Sequence, residues 1–381
     1  MLASVIAAFT LLVAAKQIPA QSVSPDQAGH GVRVEADNAQ YQQLLDDLSK
    51  VGASLAKATA PGEIAACGLR QADVLGQLVA ACPAEEQASW LRQMADCLQM
   101  AASNSPATDR TAYARLQRLQ QQVAQAMPGG NVDAYVTFRL LEADYAAKVA
   151  APDADVTRVQ QEWREQLIAF VRSHPQAEDA PGAILELAGV SESLGRKADA
   201  RTCYERLAQD FAGKPAGVRA VGALRWIDLQ GQVLHLALPL LFTGNECQDV
   251  PFDIEDLRGK LVVVYFWSAA GERSRQDLAE LTQVLEHYRG TGVEVLCVNM
   301  DNTPTLAREF LDHSGRPGTQ VFQRGGLQGA LALRYGLTSL PKFLLVGRDG
   351  KVLCQPAGTA EIGNELAQQL GPKERKAAEQ Q

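Results

Sequence analysis

The stretch from Leu261 to Arg275, Leu-Val-Val-Val-Tyr-Phe-Trp-Ser-Ala-Ala-Gly-Glu-Arg-Ser-Arg, constrains the fold of this chain more than any other. Six β-branched or aromatic residues follow one another from Val262 to Trp267 without polar alternation. That is the pattern of a strand covered on both faces, as in a parallel sheet flanked by helices. Gly271 then permits a tight turn, and Leu278, Leu281, Val284 and Leu285 fall at helical spacing, which predicts a helix from Arg275 to Tyr288. A buried strand that delivers the chain to a helix N-terminus is where an α/β domain places its function.

The chain has 381 residues, enough for two or three domains with real cores. Its net charge of −8 argues against nucleic acid or an anionic membrane surface as the main partner, since both favour a basic face. Leu2 to Ala15 is an uncharged apolar run, too short to span a bilayer comfortably, and Ala14, Ala15 and Ala20 are small residues suited to signal-peptidase cleavage. Residues 1–20 therefore read as a signal peptide and the protein as exported, to a periplasm or cell envelope. No basic residue precedes the run, so an uncleaved anchor and a mis-assigned start both stay open. No later segment is apolar enough to span a membrane.

Residues 21–37 are polar, contain Pro and Gly, and read as a linker. From Asn38 to Leu229 the pattern predicts only helices, over 38–58, 62–82, 84–103, 109–127, 132–150, 155–173, 181–194, 197–211 and 215–229. Pro61 and Pro83 stand near first turns, with Asp109 and Asp155 as caps. Within 181–211, Ile184, Leu187, Ala188, Gly195, Ala200, Tyr204 and Leu207 resemble the small/large order of a tetratricopeptide hairpin, with Ser191 where that pattern has an aromatic. A tetratricopeptide-like array and an unrelated helical bundle both fit this half.

Leu234 to Phe242 and the turn Thr243-Gly244-Asn245 predict a short β-hairpin that leads into a second domain over 232–370. Expected strands are Val293–Met300, Thr319–Gln323, Phe343–Val346 and Lys351–Cys354, with helices over Thr303–His313, Leu327–Tyr335 and Ala360–Leu370. Residues 371–381 are polar and read as a disordered tail. The fold class is thus α plus α/β: a helical domain followed by an α/β sandwich.

The junction residues resemble the exported thioredoxin-like proteins of the TlpA/ResA type, whose pattern is Phe-Trp-Ala-x-Trp-Cys-x-x-Cys-Arg. Phe266, Trp267 and Arg275 match it, and so does the lead-in from Phe252 and Asp253 to Gly259-Lys260. The two redox cysteines fall on Gly271 and Ser274. Tyr335-Gly-Leu-Thr-Ser-Leu-Pro-Lys342 resembles the family's cis-proline segment, with Lys342 in place of the usual threonine. The resemblance implies a thioredoxin-like fold, a cis Leu340–Pro341 bond, and a groove facing the helix N-terminus that takes an extended peptide or protein partner. Trp267, Glu272, Arg273, Leu340, Pro341 and Lys342 are its candidate binding residues. A structural turn with solvated charges is the competing reading of that groove.

Family chemistry needs a cysteine capping the helix, where the macrodipole stabilises a thiolate. Gly271 has no side chain, and Ser274 has no neighbouring base in the motif to activate it, so it reads as a first-turn hydroxyl bonded to the backbone. Seven cysteines form no Cys-x-x-Cys pair. Cys67 and Cys97 stand level across an expected hairpin and are either bridged or plain buried thiols. Cys297 reads as core, Cys354 as an edge-strand residue, and Cys247, in a polar loop, as the candidate off-motif thiol. The five histidines are scattered, so no metal site is expected, and neither is a cofactor. The sequence thus favours a binding or scaffolding protein of the cell envelope with a degenerate site. The alternative is a thiol–disulfide oxidoreductase working through an off-motif thiol such as Cys247.

Overall fold

The computed structural model describes residues 31–242 and 251–370, with side chains from 39 onward. The expected signal segment, the tail after Leu370 and Cys247 lie outside the described residues. The described chain forms two compact units, divided between Cys203 and Tyr204.

The first unit is helical: α1 Gly31–Leu55, α2 Pro61–Ala81, α3 Ala84–Asn104, α4 Thr111–Ala126, α5 Asn131–Val149, α6 Val156–Ser173 and α7 Ala180–Ser193, with α8 Lys197–Asp210 running past the division. The helix α1 begins ahead of the expected Asn38. Apolar stripes explain the packing. On α2 the buried positions Ala65, Gly68, Ala72, Leu75 and Leu78 recur every three or four residues. Gly68 lets α2 approach α3 closely, since a side-chain carbon there would sit 2.9 Å from the Cys97 carbonyl oxygen. Asp155 caps α6 by accepting the Arg158 amide at 3.1 Å. Ser191, where a tetratricopeptide carries an aromatic, is fully buried and donates to the Leu187 carbonyl at 2.6 Å, so the small side chain leaves no unpaired polar group.

Cys67 and Cys97 are free thiols. Their sulfurs turn to different partners, Cys67 to Arg70 Nη2 at 3.2 Å and Cys97 to Gln71 Oε1 at 3.5 Å. The bridge left open by the sequence is absent.

The second unit carries α9 Pro215–Ile227, β1 Ala237–Pro239, β2 Pro251–Asp253, β3 Leu261–Trp267, α10 Glu272–His287, β4 Val293–Asn299, α11 Pro304–Ser314, β5 Thr319–Phe322, α12 Ala330–Tyr335, β6 Lys342–Val346, β7 Val352–Cys354 and α13 Thr359–Gln369. Its main sheet has the order β5-β4-β3-β6-β7. β3 pairs parallel with β4, and β4 with β5; β6 runs antiparallel to both β3 and β7. Every residue of β3 is buried. Leu261, Val263, Tyr265 and Trp267 pack with residues of α10, α11 and α13, while Val262, Val264 and Phe266 pack with residues of α9 and α12. Two covered faces account for the missing alternation.

The connector 230–241 is a strap. It pairs with β7 at one sheet edge, where Gly231 N–H donates to Val352 O at 2.8 Å and Leu234 N–H to Gly350 O at 3.0 Å. Leu234, Leu236 and Leu238 then enter the α9/α12 face, and Leu241 N–H reaches Gln320 O on β5 at 2.9 Å. Both edges thereby gain partners against strand addition. Along the way β1 pairs antiparallel with β2, Ala237 opposite Asp253.

Candidate functional site

Parallel β3 and β4 end side by side, and the chain leaves β3 through Ser268-Ala-Ala-Gly271 into α10. Asp301, just past β4, organises this loop. Its carboxylate accepts the Ala269 amide at 3.0 Å and Asn299 Nδ2 at 2.8 Å, and it also accepts the Ser268 hydroxyl. Arg275 ties the far side, Nη1 donating to Ala269 O at 2.7 Å. Asn299 and Asp301 are buried, so the loop is held by charge-assisted bonds shielded from water.

At the helix start, Gly271 is the N-cap with extended backbone and contributes no capping side chain. Ser274 is 1% exposed, and its Oγ accepts the Ser268 amide at 3.4 Å. Beneath it, the buried Tyr265 hydroxyl donates to Ser274 O at 3.0 Å and lies 3.3 Å from Asp277 Oδ2. Asp277 is paired with Arg273 at 2.6 Å, yet burial still pushes its carboxyl above the usual range. Burial also raises the Tyr265 phenol.

Across the junction, Leu340–Pro341 is cis. Lys342 pairs with Phe266, which sets Pro341 beside the end of β3. Glu272 is exposed, while Arg273, Leu340, Pro341 and Lys342 are half-buried. Trp267 departs from its expected role. Its side chain is fully buried in the layer under α10 and α11, with its ring 6.2 Å from that of Phe310, so it offers no surface to a partner. A cleft of about 370 Å³ borders α10 and α11, lined by Glu272, Arg275, Gln276, Phe310 and Pro317 among others.

Sequence reading missed Ser268, Asn299 and Asp301. The available signal was the polar pair Asn299 and Asp301 closing an apolar parallel strand next to the strand-to-helix step.

Three of the described thiols are held away from thiolate chemistry. Burial pushes Cys97 and Cys297 up to about 12 and Cys354 up to about 11. Cys297 is fully buried on β4. Among the described residues no helix is long and apolar enough to cross a membrane.

Residues 259–352 match the family model described as thioredoxin-like, and the C-terminal domain is thioredoxin-like. Its relatives carry names from thiol–disulfide exchange. The chain is 24% identical over 117 residues to the thiol-disulfide oxidoreductase ResA of Bacillus thuringiensis, covering 31% of this chain and 66% of the relative. It is 29% identical over 132 residues to the thiol:disulfide interchange protein HelX of Rhodobacter capsulatus, covering 32% of this chain and 72% of the relative. The chain thus spans just under two thirds of the first curated relatives it matches. Among solved structures, the thioredoxin domain of a thiol-disulfide oxidoreductase from Bacteroides vulgatus aligns at 17% identity with a TM-score of 0.33, over 37% of this chain and 98% of that chain.

Proposed function

We propose that this protein is a non-catalytic binding or scaffolding protein of the cell envelope, whose thioredoxin-like domain holds an extended peptide or protein segment instead of exchanging disulfides. One observation carries this reading: the N-terminus of α10 presents Gly271, with no side chain, and a Ser274 whose hydroxyl is buried and bonded to the loop. Disulfide exchange begins with a thiolate attacking a sulfur. Gly271 supplies no nucleophile, and the Ser274 oxygen is neither accessible nor next to a base.

What remains is a surface: the first-turn amides of α10, Glu272 and Arg273 on one side, Leu340, Pro341 and Lys342 on the other. Irregular backbone beside a strand end suits main-chain recognition of an extended segment. The resemblance to exported proteins and the apolar run Leu2–Ala15 support the envelope location. The helical unit supplies a scaffold.

A dithiothreitol-driven disulfide-reduction assay on purified protein, with Cys247→Ser beside it, tests the reading. Both proteins are expected to match the background rate. Activity in the wild type that Cys247→Ser abolishes overturns the proposal in favour of an oxidoreductase with a relocated thiol, in line with the relatives' names.

A further inference from the structure

The helix α9 lies outside residues 259–352, yet it is built onto the segment that leads to Pro341. Two glycines allow backbone contact. A side-chain carbon at Gly222 would overlap the Leu333 carbonyl oxygen and the Gly336 amide, and one at Gly336 would overlap the Ala223 amide. Gly336 also ends α12 in the left-handed region, at φ 60°. Around this contact Arg225 Nη1 donates to Arg334 O at 2.7 Å. The Trp226 ring packs edge-on against Phe266, centroids 5.9 Å apart, and against Tyr335 at 6.3 Å. Leu337 and Leu340 join the same apolar layer as Trp226, and Leu337 N–H donates to Ala332 O at 2.8 Å. The chain from Gly336 to Lys342 therefore starts at a backbone-to-backbone lock with α9 and ends in the β6 ladder.

We propose that α9 is the rear support of the cis-proline loop, with Gly222 and Arg225 as positioning residues that set where Leu340, Pro341 and Lys342 stand. The consequence for binding rests on the groove reading above; the support itself does not. A loop pinned at both ends presents its backbone in one arrangement, which lowers the ordering cost of taking a partner. Close glycine contacts are poor at absorbing change, because interiors this dense have no room for an added carbon.

The test is hydrogen exchange of the full chain with no partner present, comparing the wild type with Gly222→Ala, Arg225→Gln and the control Gly363→Ala, whose added carbon meets nothing within 4 Å. Gly222→Ala is expected to speed exchange across residues 336–342 about tenfold or more, with β4 amides unchanged. Arg225→Gln is expected to act on the same segment by about threefold, and Gly363→Ala to leave it alone. If Gly222→Ala fails to fold, Arg225→Gln decides. Unchanged exchange at 336–342 in the variants that fold overturns the proposal, and so does acceleration shared equally by β3, β4 and this segment. Because no partner is present, this result is independent of whether the groove binds a peptide.

Discussion

The Asp301 carboxylate accepts the Ala269 amide at 3.0 Å, joining the end of β4 to the loop that leaves β3. The same group accepts from Ser268 and Asn299, so it satisfies three donors at a buried position. Asp301→Asn replaces one acceptor oxygen with a donor and sets two donors against each other. A loss of about 2 kcal/mol is expected in urea unfolding, within the range for hydrogen bonds to charged groups, together with faster hydrogen exchange at residues 268–271.

Ser274→Ala tests whether the buried hydroxyl has any role beyond its bond to the Ser268 amide. That bond is long, at 3.4 Å. The substitution is expected to change stability by no more than ~1 kcal/mol and to leave partner binding unaltered. A large loss of binding would assign Ser274 a direct part in recognition.

A pH effect resides in the helical unit. Burial, with the Glu142 carboxylate adding to it, raises Glu186 to about 8 against an ordinary 4.5, Arg139 opposing the shift. The folded state then binds this proton more tightly than the unfolded chain. The stability it confers is complete below pH 4.5 and is lost as pH rises to about 8. Glu186→Gln removes that slope. The variant should exceed the wild type by roughly 4 kcal/mol at pH 8 and match it at pH 4, in denaturant titrations at the two pH values.

The Cys97 thiol, raised to about 12 by burial, is predicted to resist iodoacetamide in the native protein and to react once unfolded. Mass spectrometry of the unreduced protein should find Cys67 and Cys97 both unbridged.

Local pattern carried much of this fold. The unbroken run Val262–Trp267 announced a strand with two covered faces, and Pro, Gly and Asp punctuation set helix limits close to those of α2 through α9. Trp267 shows where resemblance overrode a simpler rule: strand alternation already places it with Leu261, Val263 and Tyr265, facing the core. Asp301 and Ala269 are brought together by parallel pairing across 32 residues, which no local pattern reveals. The attachment of α9 was equally hidden. Its apolar stripe looks like those of its neighbours, and the meeting of Gly222 with Gly336, with Trp226 against Tyr335 beside it, shows what it packs against.

If, as proposed, the exchange chemistry is absent because two side chains are absent from an intact fold, restoring both restores it. The most direct test is the disulfide-reduction assay on Gly271→Cys/Ser274→Cys beside the wild type. Activity in the double variant with a wild type at background is the predicted result, since the helix N-terminus and the loop held by Asp301 remain in place. An active wild type, or a folded double variant with no activity, would contradict it.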